Sequence, residues 1–230
     1  MCIDKQQISS TDFIHNEFLT LGHIKEQSSV RKSFPELCQK ADMLYGIFKG
    51  ASKKSPLIRF QFDCELKLEI EKRKQILFIE ADVRQNYSIA TYVLCMCEDT
   101  EQKKLIRKFH FDYDPQGNSS AWNKPKYHLQ YGGKATPSLK KNGIPTEDLH
   151  DWLSVPRLSF TPINLALFLD LVFNEFPSEA TQKVIEKSEW RNMIKTNEDA
   201  LLVPYFQNIG QFINAAHKSN YLFREFVYGK

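Results

Sequence analysis

The sequence predicts an α+β fold in which an antiparallel meander sheet of about five strands is flanked by two N-terminal and about three C-terminal helices. Three observations lead to this prediction. The hydrophobic period changes from 3.6 residues before Pro56 to two residues after it. The predicted strands follow one another through short polar connections, which is typical of antiparallel neighbours. The helical pattern returns only after Pro156, so helices and strands are segregated along the chain rather than alternating.

Two helices are predicted before the sheet. The first covers about residues 12–26 and follows candidate N-cap side chains at positions 10–12. The second begins at Pro35, because proline is favoured in the first turn of a helix, where its missing N–H costs nothing. It is expected to end near Gly50, a residue type common just past helix ends.

The clearest structural signal lies between Ile58 and Ile70, where apolar and polar residues alternate without error. Strict alternation predicts one long strand with its even-numbered residues buried and its odd-numbered residues exposed. Four more strands are predicted at about residues 75–84, 87–97, 104–113 and 126–131.

Three helices are predicted after a loop-like stretch at residues 134–156. The first runs from Pro162 to Phe176 and is strongly apolar. The second is capped by Ser178 and reaches about Lys195. The third covers about residues 198–218, and we expect it to be bent or broken at an internal proline.

The composition is typical of a folded domain with a sizeable core. Hydrophobic residues make up 42% of the 230 residues, and 17 of them are phenylalanine. We expect one domain over residues 1–230, with a helical part at 1–55, the sheet at 56–133, and loop and helices at 134–230. The formal net charge is +3, which is too small to argue by itself for a dedicated duplex-binding protein.

Cytoplasmic location is expected, because the first ten residues lack the apolar core of a secretory signal. No apolar run approaches the roughly 20 residues that span a membrane, so no membrane partner is predicted. The five cysteines form no C-x-x-C pair and have no zinc-finger spacing. They are therefore expected to be free thiols, and no cofactor or metal is predicted.

The stretch from Lys108 to Gly133 carries the candidate site. If the fourth and fifth strands pair as a hairpin, the binary pattern places six polar side chains on one face. The simplest register sets His110 opposite His128 and Asp112 opposite Lys126, and slips of two residues preserve the faces. The six side chains are Lys108, His110, Asp112, Lys126, His128 and Gln130.

This predicted face is compatible with several functions. Two imidazoles with a carboxylate and lysines could divide acid and base roles, as in a metal-independent endoribonuclease. Both histidines with Asp112 could instead hold a divalent metal. The remaining interpretations are a binding surface and an ordinary solvent-exposed sheet face.

Trp122 lies in the loop between the two strands, next to Lys124. An aromatic side chain on an exposed loop could stack on a base or fill a pocket of a partner protein. The alternative is that Trp122 folds back over the sheet. The sequence therefore predicts Trp122, Lys124, Lys108 and Gln130 as binding residues of the same surface.

Three segments in this region resemble a group of poorly characterised bacterial proteins: FHFDYD, then HLQYGG, then PRLSFTP before an apolar helix that ends in NEF. Those proteins have a short HLH-type strand, an R-I-P-like loop and an aromatic-rich helix, and are commonly encoded near toxin–antitoxin and antiphage loci. The resemblance covers about residues 109–176 and departs from the pattern at Gln130, where a second histidine would stand. It implies an accessory or recognition protein of a bacterial defence or toxin–antitoxin-like system, which binds a protein or nucleic-acid partner.

A second group of polar residues is similar to the metal-binding core of restriction-type nucleases. Asp63, Glu65 and Lys67 lie on the first predicted strand, and Glu80 and Asp82 lie on the second. In such nucleases the E-x-K segment belongs to the second strand, whereas here it lies on the first. Alternating charges on an exposed sheet face are the other interpretation.

The C-terminal residues NYLFREFVYGK are rich in aromatic side chains. They are expected either to close the helical layer or to form a homo-oligomer interface.

Overall fold

The computed structural model describes residues 10–51, 59–70, 72–84, 90–101, 103–113, 126–132, 140–143 and 158–216. The elements are numbered here in chain order. The helices are α1 (Ser10–Glu26), α2 (Ser28–Ser33), α3 (Pro35–Ala51), α4 (Leu165–Glu175), α5 (Glu179–Ile185) and α6 (Ser188–Ala216). The strands are β1 (Arg59–Ile70), β2 (Arg73–Arg84), β3 (Ala90–Glu98), β4 (Leu105–Tyr113), β5 (Tyr127–Tyr131) and β6 (Leu158–Ser159).

The strands form one antiparallel sheet in which each strand pairs with the next along the chain, in the order β1-β2-β3-β4-β5-β6. The predicted α+β class with a meander sheet is confirmed. The sequence missed two short elements, α2 and β6. A two-residue strand is too short to show a period of two, and it is defined only by its pairing with His128 and Leu129 of β5.

The alternation predicted for β1 is confirmed within the described residues. The even-numbered side chains from Phe60 to Leu68 are all buried, and the odd-numbered ones between them are exposed or half-buried. Ile58 lies outside the described residues.

The main core lies between one face of the sheet and the helices. Phe48 of α3 stacks on Phe60 of β1, with ring centroids 5.6 Å apart. Phe168 of α4 contacts Tyr92 of β3 and Phe111 of β4, at 5.6 Å and 5.4 Å between centroids. The helices therefore cover the face to which the even-numbered residues of β1 belong.

The opposite face of the sheet carries a smaller buried apolar cluster on β2 and β3. Its members are Ile76, Phe78, Val93, Cys95 and Cys97. Both faces of these two central strands are consequently buried, which explains their nearly continuous apolar runs. The four described cysteines are free, as predicted, and all four are buried.

A buried carboxyl group connects α1 to the sheet and to α4. Glu17 accepts a hydrogen bond from Tyr92 Oη. It also accepts from the backbone N–H of Leu165, the first residue of α4, at 3.2 Å and 3.0 Å to its two oxygens. Burial raises the pKa of Glu17 from 4.5 to about 7, and the two hydrogen-bond partners oppose that shift.

The C-terminal helices differ from the predicted ones. Ser178 is the N-cap of α5 as predicted, but α5 ends at Ile185 and α6 begins at Ser188. We expected a bend or a break at Pro204, and the break is wrong because α6 continues through this residue. The proline removes one backbone donor, and the remaining hydrogen bonds of a 29-residue helix maintain the element.

Candidate functional site

The β4–β5 hairpin brings most of the predicted polar side chains onto one face, in a register two residues away from the predicted one. His110 pairs with Gln130, and Asp112 pairs with His128. The predicted pairs of His110 with His128 and of Asp112 with Lys126 are therefore wrong. Because side chains alternate with a period of two, the shift preserves the predicted faces. We call the set Lys108, His110, Asp112, His128 and Gln130 the histidine face.

The histidine face is largely buried, so the interpretation as an ordinary solvent-exposed sheet face is wrong. Lys108 is 3% exposed and His128 is 2% exposed, while His110 and Gln130 are half-buried. The histidine face lies on the same side of the sheet as the smaller apolar cluster of β2 and β3, because Val93 of that cluster pairs with His110. A polar binary pattern shows which side chains share a face, but not whether that face is covered.

His128 and Asp112 approach each other on this face. His128 Nε2 lies 3.6 Å from Asp112 Oδ2, which allows electrostatic attraction but is longer than a good hydrogen bond. The side chain of Asp112 is 20% exposed. The pair therefore lies at the edge of the buried region, with the carboxylate on its open side.

His110 is poorly suited to acid–base work. Burial, together with the nearby Lys108 and His128, lowers its pKa from 6.5 to about 3. Its Nε2 atom is buried and has no hydrogen-bond partner among the residues that the structure describes. An acid or base is most effective when its pKa lies near the working pH, so a neutral His110 does not complete the predicted acid–base pair.

The other predicted site residues are not assembled into this face by the described structure. Lys126 precedes β5 and is half-buried, and it does not face Asp112, whose pairing position is taken by His128. Trp122 and Lys124 lie outside the described residues, so the predicted loop anchor stays a prediction.

Two ionisable residues that the sequence did not assign to this face lie next to it. Cys95 pairs with Lys108 across β3 and β4, and Glu80 on β2 is 8% exposed. Burial raises the pKa of the Cys95 thiol, Lys108 lowers it, and Cys97 and Glu80 raise it. The thiol therefore stays protonated at neutral pH and is not an activated nucleophile. The register of β2 and β3, which the sequence does not fix, was needed to find these neighbours.

Three carboxylates of the nuclease-like group form ion pairs with basic side chains: Asp63 and Glu65 with lysines, and Asp82 with Arg59. Asp63 Oδ1 lies 2.6 Å from Lys40 Nζ of α3. Glu65 Oε2 lies 3.0 Å from Lys103 Nζ, just before β4. Within the described parts of the chain, no group of three or more His, Cys, Asp or Glu residues is placed to hold a metal ion.

A second candidate site is an open groove of about 790 Å³ between the end of the β1–β2 hairpin and helices α2 and α5. Four exposed lysines line it together with Glu69 and Glu179, leaving an excess of two positive charges. Ser33 and Ser178 add hydroxyl groups to its wall. We call this site the lysine groove and define it by Lys32, Lys67, Lys72 and Lys183.

Lys72 is held in the groove by an unusual backbone conformation. It lies in the tight connection between β1 and β2 and has φ = 64°. The left-handed region costs an ordinary residue roughly 1–2 kcal/mol, and glycine or asparagine is the usual choice in such hairpin turns. A lysine in this position places a charge at the mouth of the groove at the expense of local stability.

The sequence did not identify the groove, because its lysines come from three separate segments. The only signal was the charged EKRK turn after β1, which contributes Lys72. Lys32 on α2 and Lys183 on α5 reach the same groove because these two short helices pack against each other.

None of the described helices has the length and apolar character needed to cross a membrane. Comparisons with protein-family models, curated proteins and solved structures found no match to this chain.

Proposed function

We propose that this protein is a recognition component that binds the phosphate backbone of a nucleic acid through the lysine groove. The observation that carries the proposal is the convergence of four exposed lysines on one open groove. Each ammonium group that neutralises a phosphate releases a condensed counterion, which favours binding. The defence or toxin–antitoxin setting implied by the sequence resemblance is part of the proposal, and the identity of neighbouring genes tests it.

The lysines of the groove are available to a ligand at low energetic cost. Lys183 pairs with Glu179 at 2.5 Å, and their side chains are 64% and 84% exposed. Lys67 lies 4.0 Å from Glu65 and is also 64% exposed. Ion pairs of exposed lysines contribute little to stability because water and salt screen them, so exchanging a carboxylate for a phosphate is not strongly opposed.

Substituting the groove lysines should weaken nucleic-acid binding without unfolding the protein. We expect Lys67→Gln/Lys72→Gln to weaken binding of a labelled single-stranded RNA by at least roughly tenfold at low salt, because two phosphate contacts are lost. Fluorescence anisotropy with the purified protein measures this change. The matched control is Lys141→Gln/Lys195→Gln, which removes the same charge from two exposed lysines outside the groove.

Equal weakening by both double variants would mean that net charge and not the groove controls binding. No binding by the unaltered protein to single-stranded or duplex probes at low salt would contradict the proposal outright.

The second candidate function is a metal-independent endoribonuclease that uses His110 and His128. The observation in its favour is the close approach of Asp112 to His128, since a carboxylate can orient a catalytic imidazole. The burial of His128 and the low pKa of His110 oppose it. We therefore infer that the histidine face stabilises the fold and does not take part in catalysis.

Alanine variants of the two histidines distinguish these functions. We expect His128→Ala to lower the free energy of unfolding by about 1–3 kcal/mol, because it leaves a buried space and disturbs polar neighbours. We expect no RNA cleavage by the unaltered protein, tested over a panel of RNAs by gel electrophoresis. Cleavage that both His110→Ala and His128→Ala abolish, with unchanged melting temperatures, would establish the ribonuclease instead.

A further inference from the structure

The second half of α6 carries an apolar seam that is directed away from the main core. Leu202, Phe206, Ile209 and Ile213 follow one another at intervals of four, three and four residues, the spacing of a heptad repeat. We call these four residues the α6 seam. Phe206 is 53% exposed and Ile213 is 44% exposed, so large apolar side chains of the seam face solvent in the single chain.

The seam is separate from the side of α6 that packs on the body of the protein. Trp190, Ile194 and Leu201 are buried on the inward side. Tyr205 lies on the same side of α6 and contacts Tyr127 of β5, with ring centroids 5.7 Å apart. Because successive residues of a helix are about 100° apart, the seam lies roughly a third of a turn from this inward side.

The same half of α6 is uncharged. Residues 188–199 contain five charged side chains, whereas residues 200–216 contain none. A helix that faces water normally carries charged residues on its outer face. The seam and its flanks therefore have the composition of a buried helix on a part of the protein that is exposed in the single chain.

We propose that two copies of this chain associate through their α6 seams. The heptad spacing indicates that the occupant of the seam is another helix. The flanking positions, where charges usually select an oppositely charged partner, hold Val203, Tyr205, Gly210 and Phe212. Two identical helices can therefore pack together without like-charge repulsion. A charged partner helix would have no oppositely charged side chain to pair with at these positions.

The expected dimer is symmetric, with the same surface used by both copies. The seam from Leu202 to Ile213 is about 17 Å long at 1.5 Å per residue. A helix pair of that length is short, so we expect a concentration-dependent association with a dissociation constant on the order of micromolar, and not an obligate dimer. The lysine groove contains no residue of α6, so this association is independent of the proposed function.

Sedimentation equilibrium of the full chain tests the proposal. Protein concentrations between about 1 and 200 µM bracket the expected micromolar dissociation constant. The unaltered protein should shift from monomer to dimer over this range. Phe206→Glu/Ile213→Glu should raise the dissociation constant by at least roughly tenfold, which corresponds to 1.4 kcal/mol. Gln207→Glu/Gln211→Glu adds the same charge on the other side of the helix, at exposed positions, and should leave the dimer intact.

Three results would overturn the proposal: an unaltered protein that stays monomeric throughout, a seam variant that dimerises as well as the unaltered protein, or equal dissociation of both double variants. Thermal melts confirm that the variants are folded. If the seam variant melts early, Ile213→Gln alone replaces it, since this single change adds no charge to a side chain that is already partly exposed.

Discussion

Replacing Trp190 by alanine should lower the free energy of unfolding by about 3–5 kcal/mol. Trp190 is 1% exposed and stacks on Phe173 of α4, with ring centroids 5.1 Å apart. Its Nε1 also donates a hydrogen bond of 2.7 Å to Asp170 Oδ1. The substitution therefore creates a large cavity between α4 and α6 and removes a donor from a half-buried carboxylate. Chemical denaturation monitored by circular dichroism measures the loss.

Trp190→Phe separates the two contributions to this effect. It retains an aromatic ring against Phe173 but cannot donate to Asp170, so it should cost clearly less than the alanine variant. An alanine variant that loses under about 1 kcal/mol would contradict the packing described for the α4–α6 contact.

The buried Glu17 should make stability depend on pH in a way that Glu17→Gln removes. Its pKa is raised from 4.5 to about 7 in the folded protein. Between these two pH values the unfolded chain ionises while the folded chain keeps the proton, so stability falls as the pH rises. Relative to Glu17→Gln, the unaltered protein should lose about 1.4 kcal/mol per pH unit across this window.

Denaturant melts of both proteins at several pH values between about 4.5 and 7 give this difference directly. Other titrating groups, including His110, contribute equally to both proteins and cancel in the comparison. Glu189→Gln, which alters an exposed glutamate at the start of α6, provides the matched control for the removal of one carboxyl group. A difference between the unaltered protein and Glu17→Gln that does not change with pH would mean that Glu17 is ionised in the folded state.

The sequence predicted the sheet well because its signal is local. The alternation of β1 depends only on which side chains face the core, and the structure confirms it from Phe60 to Leu68. The same reasoning placed His110, Asp112 and His128 on one face even though the register was two residues off. A period of two fixes faces, whereas the register of a hairpin depends on the length and geometry of its loop.

The features that sequence reasoning missed are set by contacts between distant segments. The burial of Lys108 and His128 depends on what covers a polar face, and no local pattern records that. The lysine groove combines α2, the β1–β2 turn and α5. The boundary between α5 and α6 at residues 186–187 was missed because neither proline nor glycine marks it.

The most direct test of the proposed function is the salt dependence of nucleic-acid binding by Lys72→Gly. Lys72 has φ = 64°, a conformation that glycine adopts readily, so the variant should keep or slightly raise its melting temperature. For a single-stranded RNA, the slope of log Kobs against log salt concentration should be roughly −0.7 for each phosphate contacted. The proposal predicts that Lys72→Gly has a slope shallower by about 0.7 than the unaltered protein. An unchanged slope and affinity in a folded Lys72→Gly variant would contradict it.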